Sequence, residues 1–455
     1  MGLTVTKPHR TVIIGSGFGG LAAAKELART EIDVTVIAKT NHHLFQPLLY
    51  QVATGILSQG EIARPMREIL SRQDNATVLL GEVTSIDLDR RQVVSEVLGL
   101  QTVTSYDSLI VAAGAGHSYF GNDHFRTNAP PLKTIDDALE LRGRIFGAFE
   151  LAEAAERRGD AAAVESLLTF AIIGAGPTGV EMAGQIADLA HRTLETDFRH
   201  IDSRSARVIL VDGADQVLPA YSKKLGRAAQ RMLEENGVQV ILRAFVTEVD
   251  QISMSIKDGR GVSREIKATT KVWAAGVRAS GLGELLASQS GAALDRSGRI
   301  AVGRDLSLPG YPEVFVVGDM AATDDQLPGV AQVAMQGGRY AAKTIRGRLA
   351  GKPEQASFSY FDKGSMAIVG RHTAVMKIGS IQLAGTIPWL AWLTVHLTYL
   401  NGFSSRITAF LRWTISFIGH RRSERTITFQ QVFRGSSSFD QGGDSSPGGS
   451  DDDVA

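Results

Sequence analysis

Two copies of one glycine pattern constrain the fold of this chain more than any other feature of its sequence. The first, GSGFGG, covers residues 15–20, and the second, GAGPTG, covers residues 174–179. Each copy follows a run of β-branched apolar residues and precedes a helical segment rich in small residues. Both copies therefore predict the turn between a parallel strand and a helix, as in a βαβ dinucleotide-binding unit.

The three glycines of each loop have different tasks. The first makes a tight turn, the second lets the backbone approach a diphosphate, and the third lets the helix pack closely on the strand. The helix that follows points free N–H groups and the positive end of its dipole at the anion. These positions are Gly15, Gly17 and Gly20 in the first loop and Gly174, Gly176 and Gly179 in the second.

The same pattern expects an acidic residue at the end of the second strand, where its carboxylate accepts hydrogen bonds from the ribose. In the second unit this residue is Asp212, which favours NADH because a carboxylate repels the 2′-phosphate of NADPH. The alternative is that Asp212 caps the turn before Gly213. The first unit ends its second strand with Ala38 and Lys39, so it lacks this acid.

The absence of cysteine excludes several kinds of chemistry. A chain with no Cys forms no disulfide, no thiolate metal site and no thiol nucleophile, and we expect no metal centre. Disulfide and sulfide oxidoreductases need a cysteine pair beside the cofactor, so they are excluded as well.

The charges balance over the whole chain but not along it. The charges of the 48 basic and 48 acidic residues cancel, so the protein has no net positive electrostatic field that would attract a nucleic acid. Residues 435–455 contain five aspartates, no basic residue and little to bury, so we expect a disordered tail. The first residues lack an apolar run with a small-residue cleavage site, from which we expect a cytoplasmic protein.

The order of elements predicts an α/β protein in which one Rossmann-like domain is inserted into another, followed by a helical region. We predict a first dinucleotide-binding part with its helical connector at 8–164, the inserted dinucleotide-binding domain at 165–290, the return to the first domain at 291–360, a C-terminal region at 361–434 and the tail at 435–455. The connector at 134–160 has apolar residues at helical spacing.

Two dinucleotide sites in one chain indicate electron transfer between a bound cofactor and an exchanging one. The bound one is most simply a flavin, because two nicotinamides would make a transhydrogenase. We therefore predict FAD at the N-terminal loop and NADH at the second loop. Asp319 follows a strand end and suits a contact with the ribityl chain, although it could equally be a helix N-cap. Ala113 and Gly114 end another strand under the cofactor.

Two apolar segments near the C-terminus are candidates for membrane contact. Residues 387–400 and 407–418 are both shorter than the roughly 20 apolar residues needed to cross a bilayer. Aromatic and cationic residues lie in or just after them: Trp389, Trp392, Trp413, His420, Arg421 and Arg422. Tryptophan beside cations suits a helix in the headgroup region, so we expect residues 385–422 to bind the membrane surface. The alternatives are a dimer interface or a docked core helix, and more than one of these interpretations can be true of the same segments.

Four further fragments, taken in order with the two glycine loops, resemble the type II NADH:quinone oxidoreductases. They are HHLFQPLLYQVATG at 42–55, WAAGVRAS at 273–280, EVFVVGDMA at 313–321 and AQVAMQGG at 331–338. The resemblance spans residues 10–430. It implies a two-domain flavoprotein with non-covalent FAD, NADH as donor and a membrane quinone as acceptor. It also implies a respiratory enzyme on the cytoplasmic side of the inner (plasma) membrane, and we expect turnover without proton pumping.

The resemblance also implies which residues bind the two dinucleotides. For FAD they are Gly15, Gly17, Phe18, Gly20, Pro47, Leu48, Ala113, Gly114, Gly318 and Asp319. For NADH they are Gly174, Gly176, Thr178, Gly179, Asp212, Ala275 and Gly276. The further residues assigned to cofactor binding are Lys39, Val83, Glu181, Gln332, Val333 and Ala334.

Three residues are the predicted catalytic ones. Gln332 and Gln336 stand four apart and share one face of a helix, and the resemblance implies a place beside the flavin ring and the quinone. Many members have two adjacent glutamines where this chain has Gln336 and Gly337. The resemblance puts Glu181 near the nicotinamide, where it could take part in proton delivery. The alternative is a carboxylate in the first turn of a helix, stabilised by the dipole alone.

Two other functions stay open at this point. One is an NADH-dependent reductase of a ferredoxin or rubredoxin, and the other is a flavin-bearing redox sensor without turnover. The aromatic C-terminal segments favour the quinone oxidoreductase, because a reductase of a soluble carrier has no use for a lipid-facing edge.

Overall fold

The structure, a computed structural model, describes residues 7–353, 356–419 and 421–428. The predicted disordered tail at 435–455 lies outside the described residues, and so does His420. The helices are α1 (Phe18–Glu26), α2 (Leu49–Ala53), α3 (Gln59–Ile62), α4 (Met66–Ile69), α5 (Ile135–Arg157), α6 (Ala161–Leu167), α7 (Pro177–Asp188), α8 (Lys223–Glu235), α9 (Leu282–Ser290), α10 (Ala331–Leu349), α11 (Thr386–Tyr399) and α12 (Phe403–Gly419).

The strands are β1 (Arg10–Ile14), β2 (Asp33–Ala38), β3 (His42–Leu44), β4 (Ala63–Pro65), β5 (Ala76–Leu80), β6 (Glu82–Asp87), β7 (Gln92–Val97), β8 (Leu100–Ser105), β9 (Ser108–Val111), β10 (Ala115–His117), β11 (Thr169–Ile173), β12 (Arg207–Asp212), β13 (Val238–Leu242), β14 (Ala244–Val249), β15 (Ser253–Asp258), β16 (Ser263–Lys267), β17 (Thr270–Trp273), β18 (Val277–Ala279), β19 (Ile300–Ala301), β20 (Ser307–Leu308), β21 (Tyr311–Val316), β22 (Ala321–Ala322), β23 (Ser365–Gly370), β24 (Thr373–Ile378) and β25 (Ile381–Gly385).

A six-stranded sheet carries the first glycine loop. Its strand order is β20–β21–β9–β1–β2–β5, and every neighbouring pair except the edge pair β20–β21 is parallel. The loop leads from β1, a buried central strand, directly into α1. Since β21 comes far later in the chain than β9, which it flanks, the segment between them is an insertion.

A four-stranded parallel sheet, with the order β13–β12–β11–β17, carries the second glycine loop inside that insertion. All residues of β11 are buried, and α7 follows the loop as α1 follows the first one. The parallel strands with crossover helices confirm the fold class predicted from the sequence, two Rossmann-like units of which one is inserted into the other.

Helices α1 and α10 touch through their backbones. A Cβ atom added to Gly338 of α10 would overlap the carbonyl oxygen of Gly19 in α1. Because neither position carries a side chain, the two helix axes approach closely, and α10 lies against the helix that begins at the first glycine loop.

The C-terminal region packs against both dinucleotide units. Strands β23–β25 form an antiparallel sheet, and the carbonyl oxygen of Val369 lies where a Cβ on Gly184 of α7 would be. Helices α11 and α12 follow, and their inner side joins the hydrophobic core shared by α2, α5 and α7.

The predicted interfacial position is wrong for two of the three tryptophans. Trp392 is 1% exposed and Trp413 is 3% exposed, because their indole rings fill the seam between α11, α12 and α2. The Nε1 of Trp413 donates a hydrogen bond of 2.7 Å to Oε1 of the fully buried Gln51. The side of α11 and α12 that carries these two tryptophans is therefore docked on the core, as one of the alternatives to membrane contact predicted.

Arg422 does not face a headgroup region either. Its buried guanidinium donates to the carbonyl oxygens of Thr54 and Gln185, at 2.7 and 3.0 Å, and pairs with Asp188 at 3.2 Å. Thr54 follows α2 of the first unit, whereas Gln185 and Asp188 belong to α7 of the second. The segment after α12 therefore ties the two units together.

The outer side of α11 and α12 is exposed and apolar. We call it the apolar helix face, and it consists of Ile387, Leu390, Phe403, Ile407, Phe410, Leu411, Ile415 and Ile418. Within the described part of the chain, no helix is both long enough and apolar enough to cross a membrane.

The contact between α1 and α10 makes a prediction about stability. Replacing Gly338 with Ala should lower the free energy of unfolding by about 1–3 kcal/mol, because the new methyl group must displace the Gly19 backbone. Gly347 lies on the same helix with open space around its Cα, so Gly347→Ala is the matched control and should add up to about 1 kcal/mol through helix propensity. Urea unfolding of both variants measures the difference, and equal stabilities would contradict the close approach.

Candidate dinucleotide sites

Both glycine loops have the open geometry that a diphosphate needs. Gly15 has φ of 108° and Gly174 has φ of 109°, a region of backbone conformation that favours glycine. The third glycine of each loop touches the first, since a Cβ on Gly20 or Gly179 would overlap the carbonyl oxygen of that first glycine. The second glycines, Gly17 and Gly176, instead face open space.

The helices that leave these loops begin without competing groups. Neither α1 nor α7 has a side chain that caps its N-terminus, and neither has an acidic residue in its first turn. Their first N–H groups are therefore available to an anion. The predicted contacts Phe18 and Thr178 lie in these first turns, and Pro177 occupies the first position of α7, where no N–H is needed.

The loops after β9 and β17 bring the ligand-binding edges of the two sheets together. Gly114 and Gly276 have φ of 68° and 72°, and each directly precedes a short strand. These strands, β10 and β18, pair with each other in antiparallel register from Ala115–Ala279 to His117–Val277. The carboxyl ends of the two sheets thus face one another, with Ala113 and Ala275 beside the two glycines.

Asp212 is held at the end of β12 by two backbone donors. Its Oδ1 accepts from the N–H of Ala214 at 2.7 Å, which makes the turn cap proposed as the alternative. Its Oδ2 accepts from the N–H of Ala175 in the second glycine loop. A carboxylate accepts about four hydrogen bonds, so the same group keeps capacity for two ribose hydroxyls.

Phe245 is a residue of this site that the sequence did not indicate. Its ring is 64% exposed and lies over Gly213, the residue after Asp212. An exposed aromatic ring at the end of β12 offers a stacking surface for a base. No local pattern predicts this position, because Phe245 enters the site from β14.

Asp319 lies in a single helical turn, Gly318–Met320, directly after β21. The N-cap alternative is wrong for the next helix, because α10 begins at Ala331 and its N-cap is Val330. Asp319 faces Lys133, a second residue that the sequence did not indicate. Burial lowers the pKa of the Lys133 ammonium, and the charge of Asp319 opposes that shift.

Glu181 is buried and lies in the second turn of α7, so the explanation by the helix dipole in the first turn is wrong. Burial raises the pKa of Glu181 to about 8, although the N–H of Ile368 donates to the carboxylate and opposes the shift. When it is ionised, its charge raises the pKa of the Tyr50 and Tyr221 hydroxyls. At neutral pH the carboxyl group therefore carries a proton inside the protein.

The two glutamines share one face of α10 as predicted, but their side chains have different surroundings. The amide of Gln336 donates to the carbonyl of Phe361 and accepts from its N–H, both at 3.0 Å, so both of its polar atoms are engaged. Gln332 has a buried Oε1 without a partner, and its amide interacts with the hydroxyl of Tyr399.

The remaining residues predicted to bind a cofactor differ in position and exposure. Ala334 of α10 lies against both Gly19 and Gly318, and Val333 is its neighbour in the chain. Leu48 is buried in the core, Pro47 and Val83 are half-buried, and Lys39 is exposed. Over the residues that the structure describes, no group of three His, Asp or Glu side chains is arranged to hold a metal ion.

Comparisons with known proteins agree with this geometry. The family model for pyridine nucleotide-disulphide oxidoreductases matches residues 9–338. A protein of Mycobacterium tuberculosis H37Rv, type II NADH:quinone oxidoreductase Ndh, is 59% identical over 93% of this chain and 91% of its own length. A second from the same organism, NdhA, is 55% identical over 93% of this chain and 90% of its own length. The solved structure of NDH2 from Plasmodium falciparum in complex with NADH shares the fold, with a TM-score of 0.81 and 19% identity over 90% of this chain and 98% of that one.

The buried Glu181 makes a prediction about pH. Its folded pKa of about 8 lies above that of an exposed glutamate, so the folded state binds more protons and stability should fall as pH rises from about 4.5 to 8. Glu181→Gln does not titrate and should flatten this dependence, whereas the exposed Glu165→Gln should leave it unchanged. Urea midpoints at pH 5 and pH 8 measure the slope, and parallel slopes for all three proteins would contradict the burial of the carboxyl group.

Proposed function

Because the chain belongs to the type II NADH:quinone oxidoreductases, within the pyridine nucleotide-disulphide oxidoreductase family, we propose how its own residues carry out that reaction. The resemblance inferred from the sequence fragments is confirmed by these relatives. The protein is an enzyme that oxidises NADH with FAD as cofactor and reduces a quinone.

The observation that carries the proposal is the pairing of β10 with β18, which brings the carboxyl edges of the two sheets together. Ligands of parallel α/β sheets bind outside these edges. A dinucleotide on each glycine loop would therefore extend toward the other, and their reactive rings would meet between the sheets. Positioning of this kind is the main catalytic requirement of hydride transfer.

The first loop fits FAD. The open space at Gly17 and the uncapped N-terminus of α1 suit its diphosphate, and Asp319 with Lys133 would bind the polar chain that leads to the flavin. Bound FAD supplies the acceptor of the hydride and the donor of two electrons to the quinone. The unpartnered Oε1 of Gln332 would accept a hydrogen bond on this side of the site.

The second loop fits NADH. The open space at Gly176 and the first turn of α7 suit its diphosphate, and Asp212 would accept from the adenosine ribose. The exposed ring of Phe245 would cover the adenine. Glu181 lies one turn further along α7 and would hold a proton on its carboxyl oxygen near the nicotinamide end.

The decisive experiment follows the flavin spectrum. The purified protein should be yellow, anaerobic NADH should bleach the absorption near the flavin maximum, and menadione should restore it as fast as turnover requires. A colourless protein that FAD does not reconstitute would contradict the proposal. Reduced protein that menadione does not reoxidise would favour the redox sensor, and reoxidation only by ferredoxin or rubredoxin would favour the carrier reductase.

For the apolar helix face we propose contact with the cytoplasmic surface of the membrane. Its eight exposed apolar side chains lie on two consecutive helices whose other side is buried, so the face points outward. Contiguous exposed apolar patches typically mark a membrane or protein contact. A quinone dissolved in lipid would reach the enzyme there. A homodimer that covers the same face is the alternative.

The membrane proposal predicts the effect of charges on this face. Phe403, Phe410 and Ile418 changed together to Glu should lower vesicle binding at least about a hundredfold, because burial of each side chain contributes about 1.5–3 kcal/mol. NADH:ferricyanide activity should survive, since the buried side of the helices is unchanged. The matched control changes the exposed Leu98, Leu100 and Val103 of the β7–β8 hairpin to Glu. Co-sedimentation with phosphatidylcholine vesicles measures binding, and a variant that sediments like the control would refute the assignment.

A further inference from the structure

Tyr399, the last residue of α11, has a hydroxyl group with an unusual set of partners. Nζ of Lys363 donates to its oxygen at 3.0 Å, and the amide of Gln332 interacts with the same oxygen. A phenolic hydroxyl accepts about two hydrogen bonds and donates one, so Tyr399 can still donate its proton while Lys363 holds its oxygen.

Tyr399 lines a cavity of about 180 Å³ together with residues of α1, α10 and the turn after α11. The cavity wall has an apolar part, formed by Phe18, Leu21, Ala22 and Met335, and a polar part, formed by Lys25, Glu26, His43, Arg339, Tyr399 and Asn401. An apolar cavity of about 150 Å³ is large enough for a molecule such as benzene, so a substituted ring can enter at least in part.

This cavity has the right place in the molecule for a lipid-soluble substrate. Phe18 on its wall belongs to the first glycine loop, where FAD would bind. Asn401, which also lines the cavity, is two residues before Phe403, the first residue of α12, which is 77% exposed and belongs to the apolar helix face. The cavity therefore lies between the proposed flavin site and the proposed membrane contact.

The reaction needs one proton that NADH does not supply. In the balanced equation, NADH, one proton and quinone give NAD⁺ and quinol. The hydride brings two electrons and one hydrogen nucleus, and the second must come from water through a group on the protein. Such a group needs a proton free to move, contact with the quinone and a route to solvent.

We propose that Tyr399 is this proton donor and that Lys363 is a positioning residue that stabilises the tyrosinate. This inference rests on the proposed function. The O–H bond of Tyr399 breaks as an O–H bond forms on the quinone oxygen, and no electrons move through the tyrosine. The exposed Lys363 holds the resulting anion by its ammonium group until water returns the proton.

The electrostatics around Tyr399 support this role. Its pKa is lowered from the usual value, first by the hydrogen bond from Lys363, and Gln332 and the charges of Lys363 and Arg339 add to this, whereas partial burial opposes it. The phenol is therefore a better proton donor than a free tyrosine. The other titratable and charged side chains that line the cavity with Tyr399 are Lys25, Glu26, His43 and Arg339.

The test compares two electron acceptors. Quinone takes up protons when it is reduced and ferricyanide does not, so Tyr399→Phe should slow menadione reduction by about a hundredfold and leave ferricyanide reduction unchanged. Tyr311→Phe, on strand β21, is the matched control and should keep both rates. If Tyr399→Phe slows the reduction of menadione and of ferricyanide equally, or slows neither, the proposal is wrong.

The pH profile separates a proton donor from a structural residue. The wild-type rate with menadione should fall at alkaline pH as Tyr399 loses its proton. Lys363→Met removes the cation that lowers this pKa, so the fall should move to higher pH, whereas Lys352→Met should leave it in place. If the alkaline fall of the menadione rate stays at the same pH in Lys363→Met, the assignment of Tyr399 as proton donor is wrong.

A measurement without turnover completes the test. The ultraviolet difference titration of wild-type protein minus Tyr399→Phe should show one tyrosinate step with a midpoint below that of free tyrosine. Absence of this step would overturn the proposal. A wild-type protein that reduces ferricyanide but no quinone would instead remove the proposed function, so the two failures are distinguishable.

Discussion

One steric contact, which occurs twice, organises both dinucleotide-binding units. At each glycine loop the carbonyl oxygen of the first glycine occupies the space of the side chain that the third glycine lacks. The helix can therefore start directly on the strand end, with its first N–H groups at the carboxyl edge of the sheet. The ligand edges of both sheets follow from this contact, and the pairing of β10 with β18 turns these edges toward each other.

The C-terminal helices use their two sides for different purposes. Their inner side supplies Trp392 and Trp413 to the core, and the following segment inserts Arg422 between the two dinucleotide units. Removing one member of such a buried charged pair is costly, because the other charge stays buried. The outer side is therefore the part of this region that is free to contact a membrane, and the inner side belongs to the folding core.

Burial and charge shift the pKa values of two titratable groups in opposite directions. Glu181 is buried, so its pKa rises to about 8 and its carboxyl group keeps a proton at neutral pH. Tyr399 has an ammonium group against its hydroxyl, so its pKa falls. The protein thus has one buried carboxyl group near the proposed nicotinamide site and one acidic phenol near the proposed quinone cavity.

Residue type and spacing are enough to specify the two strand–loop–helix units, the insertion of one in the other and the acid at Asp212, because they dictate local backbone geometry. Packing in three dimensions selected which side of α11 and α12 is buried, since both sides are apolar and periodicity does not distinguish them. It likewise separated Gln336, engaged with Phe361, from Gln332, and it brought Lys133, Phe245 and Tyr399 to the sites. These contacts join residues far apart in the chain, and their physical basis is packing between elements, which no local pattern encodes.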